Sequence, residues 1–189
     1  MGMANLLKRW TREEVLALPD DGNRHELLEG ELLLTPSPRG QHQRAILSLY
    51  RRIDPYVRLH HLGYTCLAPA DLDFEAAEVL QPDLFVVPLV QGREPVEWPE
   101  FTVPFLIVEV LSPSTARYDR LTKRAFFQQR GVSDYWIVDV DARVVEHWRP
   151  EDTRPAILDQ LVEWRPDPAL PALVIELLAY FAEVWAEQL

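Results

Sequence analysis

Two carboxylates stand in stretches that otherwise read as buried strands. Pro82-Asp83 opens the run Asp83-Leu-Phe-Val-Val, and Glu109 interrupts the run Phe105-Leu-Ile-Val-Glu-Val. A carboxylate inside a buried strand is costly unless it is paired, hydrogen-bonded or bound to a cation. Any fold that buries these runs must therefore gather compensating charge around them. Lys123, one of only two lysines in the chain, lies on the next helical stretch, Arg117 to Arg130. Two strand carboxylates followed by an ammonium point to a divalent-cation site facing a phosphate.

Strand geometry gives this reading a direction. Phe105, Ile107, Glu109 and Leu111 share one face, and Leu106, Val108 and Val110 share the other. Glu109 thus points the same way as large apolar groups. The competing reading puts it at a sheet end, reaching solvent or an arginine. Asp83 carries less weight alone, because aspartate after proline is also a common turn ending. The 26 positions from Asp83 to Glu109 hold one strand, a loop from Gln91 to Glu100 and a return strand. That connection sets the two carboxylates side by side.

Paired carboxylates without cysteine or histidine are hard oxygen donors, suited to Mg²⁺ or Mn²⁺ rather than Zn²⁺. Such an ion stabilises the charge of an in-line phosphoryl displacement, and a nearby lysine adds to that stabilisation. For Lys123 the competing reading is a surface ion pair with Asp119, four residues earlier on the same helix face. Glu26, in His25-Glu-Leu-Leu-Glu-Gly30, reads as a third acidic ligand or as an exposed strand residue. His42 reads as a phosphate contact or a turn cap. Ser37 and Ser112 have no nucleophile setting, and there is no Gly-x-Ser-x-Gly elbow, Walker loop or dinucleotide-binding glycine fingerprint.

The chain has 189 residues, 48% hydrophobic and 26% charged, which suits one globular domain spanning 1–189. Its net charge of −11 repels nucleic acid on average. Yet Arg39 to His61 holds five arginines against one aspartate, and Thr115 to Gly131 holds four arginines and Lys123 against Asp119. These are either two basic helices forming a local anion-binding face or ordinary solvated surfaces. Cys66 stands alone, which removes intrachain disulfides and cysteine-based metal sites. No apolar stretch approaches the roughly 18 residues of a membrane span, and the start lacks a secretion signal's apolar core. The expected location is cytoplasmic.

The order of elements predicts an α+β fold. Thr11-Arg-Glu-Glu14 has capping-box spacing and opens a short helix to Leu18. A β-hairpin turns at Gly30 and ends at Pro36-Ser-Pro38. Gln41 to His61 is helical, kinked or divided by Pro55. Tyr64–Leu67, Ala70–Phe74, Val79–Val87 and Phe105–Leu111 are strands. After N-cap residues at Ser112 to Thr115, a helix runs to Gly131. Asp134–Asp139 and Val144–Trp148 form a hairpin, a strand follows near Leu161 to Arg165, and Leu173 to Leu189 closes the chain as an amphipathic helix.

Several motifs in order resemble the Uma family of bacterial restriction-endonuclease-like proteins, within the PD-(D/E)xK nuclease superfamily. They are Trp10-Thr-x-Glu13, Glu26-Leu-Leu-Glu-Gly-Glu31, Pro36-Ser-Pro-x-x-x-His42, Pro82-Asp83, Glu109-Val-Leu-Ser-Pro-Ser-Thr115, Lys123 and Gly131-Val-Ser-Asp-Tyr-Trp-Ile-Val-Asp139. They span roughly residues 10 to 150. The resemblance implies a restriction-endonuclease-like core, a central mixed sheet flanked by helices, and a Mg²⁺- or Mn²⁺-dependent endonuclease site acting on DNA. By motif, Asp83 corresponds to the family's first metal-binding aspartate, Glu109 to its second acidic ligand and Glu26 to an acidic position of the N-terminal motif. Leu111 stands where the superfamily places the lysine of Glu-x-Lys, and Lys123 resembles a replacement from the following helix. A homo-oligomer, most simply a dimer, suits an enzyme that cuts both strands of a duplex. The alternative is a catalytically degenerate nuclease fold serving as a binding or assembly module, favoured by the acidic charge and the missing Glu-x-Lys lysine.

Overall fold

The computed structural model describes residues 8–19, 21–35, 39–72, 74, 78–96 and 102–187. Expectations resting on Ser37, on the strand end at Pro36-Ser-Pro38, on part of the loop before Phe105 and on the last two residues lie outside them.

Helix α1 (Arg12–Leu16) has the expected capping box at Thr11 and Glu14. Strands β1 (Arg24–Leu28) and β2 (Glu31–Thr35) pair antiparallel. Glu29 and Gly30, both with positive φ, form their two-residue turn, the backbone that closes a tight hairpin in step with strand twist.

Helix α2 (Gly40–Leu59) runs twenty residues without dividing at Pro55. Pro55 cannot donate to the Arg51 carbonyl, but both residues are exposed, while Leu49, Ile53 and Val57 are buried on the opposite stripe. Packing of that stripe outweighs the lost hydrogen bond.

The central sheet has six strands in the order β3 (Gly63–Leu67), β4 (Leu84–Pro88), β5 (Leu106–Val110), β6 (Asp134–Asp139), β7 (Val144–Trp148) and β8 (Ala156–Leu158). Every pair is antiparallel except β5 and β6. The parallel pair needs a crossover. It is supplied by α3 (Ala116–Tyr118), a π-helical segment (Asp119–Lys123) and α4 (Arg124–Gln129). The crossover ends before Gly131, whose φ is positive, as expected. A second antiparallel pair, β9 (Leu161–Trp164) and β10 (Leu173–Glu176), leads into α5 (Leu177–Trp185).

Three expected elements differ. Ala70–Phe74 is not a strand, and its only pairing among the described residues is a single bridge from Leu72 to Leu80. The alternation of Ala70, Leu72 and Phe74 reflects burial rather than sheet pairing, since all three pack in one core with Phe85, Phe126 and Phe127. Val79–Val87 shortens to β4, because Pro82 interrupts the pairing and leaves Val79 and Leu80 in isolated bridges. The closing helix begins at Leu177 rather than Leu173, because Leu173-Val-Ile-Glu pairs with β9.

Two cores sandwich the sheet. Leu84, Val86, Leu106, Val108 and Trp136 pack against α2, α5 and the β9–β10 pair. Phe85, Val87, Ile107 and Ile137 face Phe126 and Phe127 of α4 and Leu28 of the hairpin. At the sheet edge, a Cβ added to Gly63 would lie 1.9 Å from the Val87 carbonyl oxygen. Gly63→Ala should therefore force β3 away from β4 and cost about 1–3 kcal/mol. A urea melt matching wild type would refute this.

Candidate active site

The register of β4 on β5 decides where the two strand carboxylates go. Leu84 lies opposite Val108, so Asp83, just before β4, stands beside Glu109. Both follow the parity of Phe85 and Ile107, on the face covered by the crossover. Asp83 and Glu109 are each only 2% exposed. The side-by-side placement is therefore observed, and the solvent-reaching alternative for Glu109 is not.

Three further elements supply the compensating charge. In β1, Arg24, Glu26 and Leu28 share one strand face, and Leu27 exchanges backbone hydrogen bonds with Val79, tying the hairpin to the sheet's approach segment. Arg24 thereby donates to Asp83 at 2.9 Å. The other Asp83 oxygen accepts from the Val110 amide at 2.9 Å and lies 3.1 Å from His42 Nε2 of α2. From the crossover, Lys123 Nζ donates to both Glu26 oxygens at 2.9 and 3.0 Å and to Glu109 at 2.8 Å. Asp119 lies 3.8 Å from the same ammonium. Lys123 is 1% exposed and Asp119 2%, so their pair is a buried part of the cluster, not a surface pair. The π-helical segment carries both residues, and Tyr135 of β6 anchors it by donating to the Asp119 carbonyl. Glu26 is fully buried and also accepts from the Gln81 amide.

The titration tendencies follow from this packing. Burial works against the charged form of Asp83, but the His42 hydrogen bond and charge, Arg24 and the Val110 amide outweigh it and hold its pKa at about 2. Glu109 goes the other way. Burial, reinforced by the charges of Asp83, Asp119 and Glu26, pushes it well above the ordinary carboxyl range despite Lys123. Asp119 is raised mainly by burial, against Lys123 and Thr115. Burial alone would lower Lys123, yet Glu109, Glu26 and Asp119 together raise it above its usual value. Lys123 is thus a permanent ammonium, fit to donate and neutralise but not to take up a proton.

Asp83, Glu109, Arg24 and His42 line a cleft of about 1120 Å³, whereas Glu26 and Lys123 stand behind them and do not reach it. Sequence reasoning gathered Glu26, Asp83, Glu109 and Lys123 correctly into one place. It missed Arg24, whose signal was its position two residues before Glu26 on a strand, and it read Asp119 only as a surface partner.

A family model described as "Putative restriction endonuclease", Uma2, matches residues 12–178. The chain belongs to the Uma2 family. No curated protein matches it. A crystal structure titled as a putative nuclease of DUF820 from Anabaena variabilis superposes with a TM-score of 0.74 at 21% identity, covering 93% of this chain and 99% of that one. The fold is accordingly restriction-endonuclease-like. In this Uma2 chain Leu111 packs against the core on the sheet's crossover side, and Lys123 brings an ammonium to Glu109 from the crossover instead.

Whether these residues suit a divalent cation is judged from the donors. Asp83 and Glu109 offer hard oxygens side by side at the cleft wall. That chemistry fits Mg²⁺ or Mn²⁺. Among the described residues no three acidic, histidine or cysteine groups are already grouped as metal ligands; Asp83 is paired with Arg24 and His42, and Glu109 with Lys123. Nor, among the described residues, is any helix long and apolar enough to cross a membrane.

Proposed function

We propose that this nuclease-fold chain is a Mg²⁺- or Mn²⁺-dependent endonuclease that hydrolyses phosphodiester bonds in DNA. The observation that carries this is the convergence of Glu109 and Glu26 on one buried ammonium, with Asp83 beside Glu109 and paired to Arg24, and with Asp83 and Glu109 both lining a cleft. Asp83 and Glu109 would hold the cation, with Glu26 completing the acidic set from behind. The bound cation would supply Lewis-acid stabilisation of charge on the phosphodiester. Lys123 keeps Glu109 oriented and adds positive potential behind the reacting phosphate. His42, Arg24 and the Val110 amide keep Asp83 ionised.

The test is cleavage of linear duplex, supercoiled and single-stranded DNA with and without Mg²⁺ or Mn²⁺. Wild type should cut, and Asp83→Asn and Glu109→Gln should each fall at least about a hundredfold, the usual scale for losing a group that stabilises the transition state. Residual cleavage that is equal in all three proteins would reveal a contaminant and reject the assignment.

A second reading, a binding or assembly module on a degenerate nuclease fold, draws on one specific observation: the carboxylates are already matched internally by Arg24 and Lys123. Calorimetry separates the two. Heat of Mn²⁺ binding that disappears in Asp83→Asn supports the enzyme. A flat titration together with a stable co-purifying partner supports the module.

A further inference from the structure

Resting on that nuclease reading, we infer that the cleft takes an unpaired stretch of DNA rather than an intact double helix. Three observations on the cleft and its surroundings lead there. The first is what happened to the arginines. Along α2, Arg52 is bonded to Glu183 at 2.8 Å and Arg58 to Asp54 at 2.8 Å, and Arg51 lies 3.5 Å from Glu183. On the crossover, Arg120 bridges Glu146 at 2.6 Å and Asp139 at 3.1 Å. Together with Arg130, which lies 3.7 Å from Glu78, five of the nine arginines in the two basic stretches are thus ion-paired within the chain.

The second observation is the balance of charge facing the cleft. Asp71, Asp83, Glu109, Asp139 and Asp141 all line it. Of its three arginines, Arg24 and Arg120 are ion-paired, and Arg39 has no ion-pair partner among the described residues. A duplex presents one phosphate charge per about 1.7 Å of axis and is held by proteins that neutralise many phosphates at once. This wall has little to offer it.

The third is the apolar part of the lining. Leu16, Ile46, Leu67, Val140 and Trp185 share the cleft with the carboxylates. Leu16 is 57% exposed, on a helix whose one buried residue is Val15. Trp185 donates its indole N–H to the Val140 carbonyl at 3.2 Å, packs against the core and carries the Arg143 guanidinium 6.0 Å from its ring centroid, so what it turns to the cleft is ring surface. A duplex hides its base faces and gains nothing from such walls. A splayed strand exposes those faces to side chains on which they stack. At about 1120 Å³ the space also exceeds the roughly 300–1,000 Å³ typical of small-molecule sites.

The experiment compares a labelled single-stranded oligonucleotide with a duplex of the same length by fluorescence anisotropy, with Ca²⁺ in place of Mg²⁺, across a salt series. The single strand should bind at least tenfold tighter, with a slope of log K against log salt smaller than about 2 in magnitude, reflecting few phosphate contacts. Trp185→Ala should weaken single-strand binding about tenfold, the scale of one lost stack, and leave duplex binding unchanged. Leu16→Ser, at an exposed position where folding is not at stake, should weaken the single strand severalfold. Equal or tighter duplex binding, or indifference to both substitutions, overturns the inference, and metal-dependent duplex cutting then leaves the nuclease reading standing. Neither binding nor cleavage of any form overturns both.

Discussion

Lys123→Met should destabilise the protein by roughly 3–5 kcal/mol at neutral pH, the usual scale for removing one partner of a buried ion pair. The methionine fills similar volume, so the loss is electrostatic. Glu26 and Glu109 would lose an ammonium at 2.8–3.0 Å, and Asp119 one at 3.8 Å, with each carboxylate at most 2% exposed. The pH dependence follows from the raised Lys123. Its contribution is fully present below the ordinary lysine value and is lost only as pH climbs past the raised one. Wild type therefore keeps it across the neutral range. The variant should recover in acid, where its orphaned carboxylates take up protons. Adding Glu26→Gln and Glu109→Gln to Lys123→Met should restore much of the loss, since the charges in need of compensation are gone. Denaturant melts of the single and triple variants measure this. Additive effects would mean that the cluster is not the origin of the cost.

That cluster was legible in the sequence because apolar strands tolerate so few exceptions. Asp83 and Glu109 stood out against Leu84-Phe-Val-Val and Leu106-Ile-Val, and strand parity fixed which way Glu109 points. The strand pairing needed only the chain length between them. Arg24 was not legible. It meets Asp83 across a sequence distance of 59, through a hairpin whose docking depends on the Leu27–Val79 bridge, and no local pattern encodes that. Asp119 was visible but misplaced, since the same i, i+4 spacing describes a surface pair and a buried one. Only the burial of the crossover against β5 and β6 separates them.

The fold was read best where one period dominates. The β5–crossover–β6 unit, the β6–β7 hairpin and the Glu29-Gly30 turn all carry strong local signals. The misreadings share a cause. Pro55 is a helix breaker by propensity, yet it sits on the solvent side of a helix held down by its other face. Ala70–Phe74 alternates as a strand would, but its described residues bury their apolar side chains with a single bridge at Leu72. Leu173–Glu176 continues an apolar pattern into α5, and only the presence of β9 makes it a strand. In each case a partner distant in sequence settles what local preference leaves open.

The opposite tendencies of Asp83 and Glu109 give the second large effect, one of sign. Asp83 sits at about 2, below its unfolded value of 3.8. Its contribution is present above that unfolded value and is lost as pH falls through the folded one, so Asp83→Asn should cost on the order of 2 kcal/mol at neutral pH and converge with wild type in acid. Glu109 is raised well above 4.5. Its favourable state is the protonated one, fully present below the unfolded value and lost as pH rises through the folded one. Glu109→Gln should therefore match wild type in acid and become the more stable protein at neutral and alkaline pH. Thermal melts from pH 3 to 9 read both curves, and two variants shifting in the same direction would contradict the charge assignment. Mg²⁺ then tests what the buried Glu109 carboxylate is for. A cation bound only by the folded state stabilises it by mass action, about 3 kcal/mol at a hundredfold excess over its dissociation constant. Saturating Mg²⁺ should lift wild type past Glu109→Gln and reverse their order, because the glutamine cannot stand in as an anionic ligand. An order unchanged by Mg²⁺ or Mn²⁺ would leave Glu109 as a strained structural carboxylate and take the cation out of the proposed reaction.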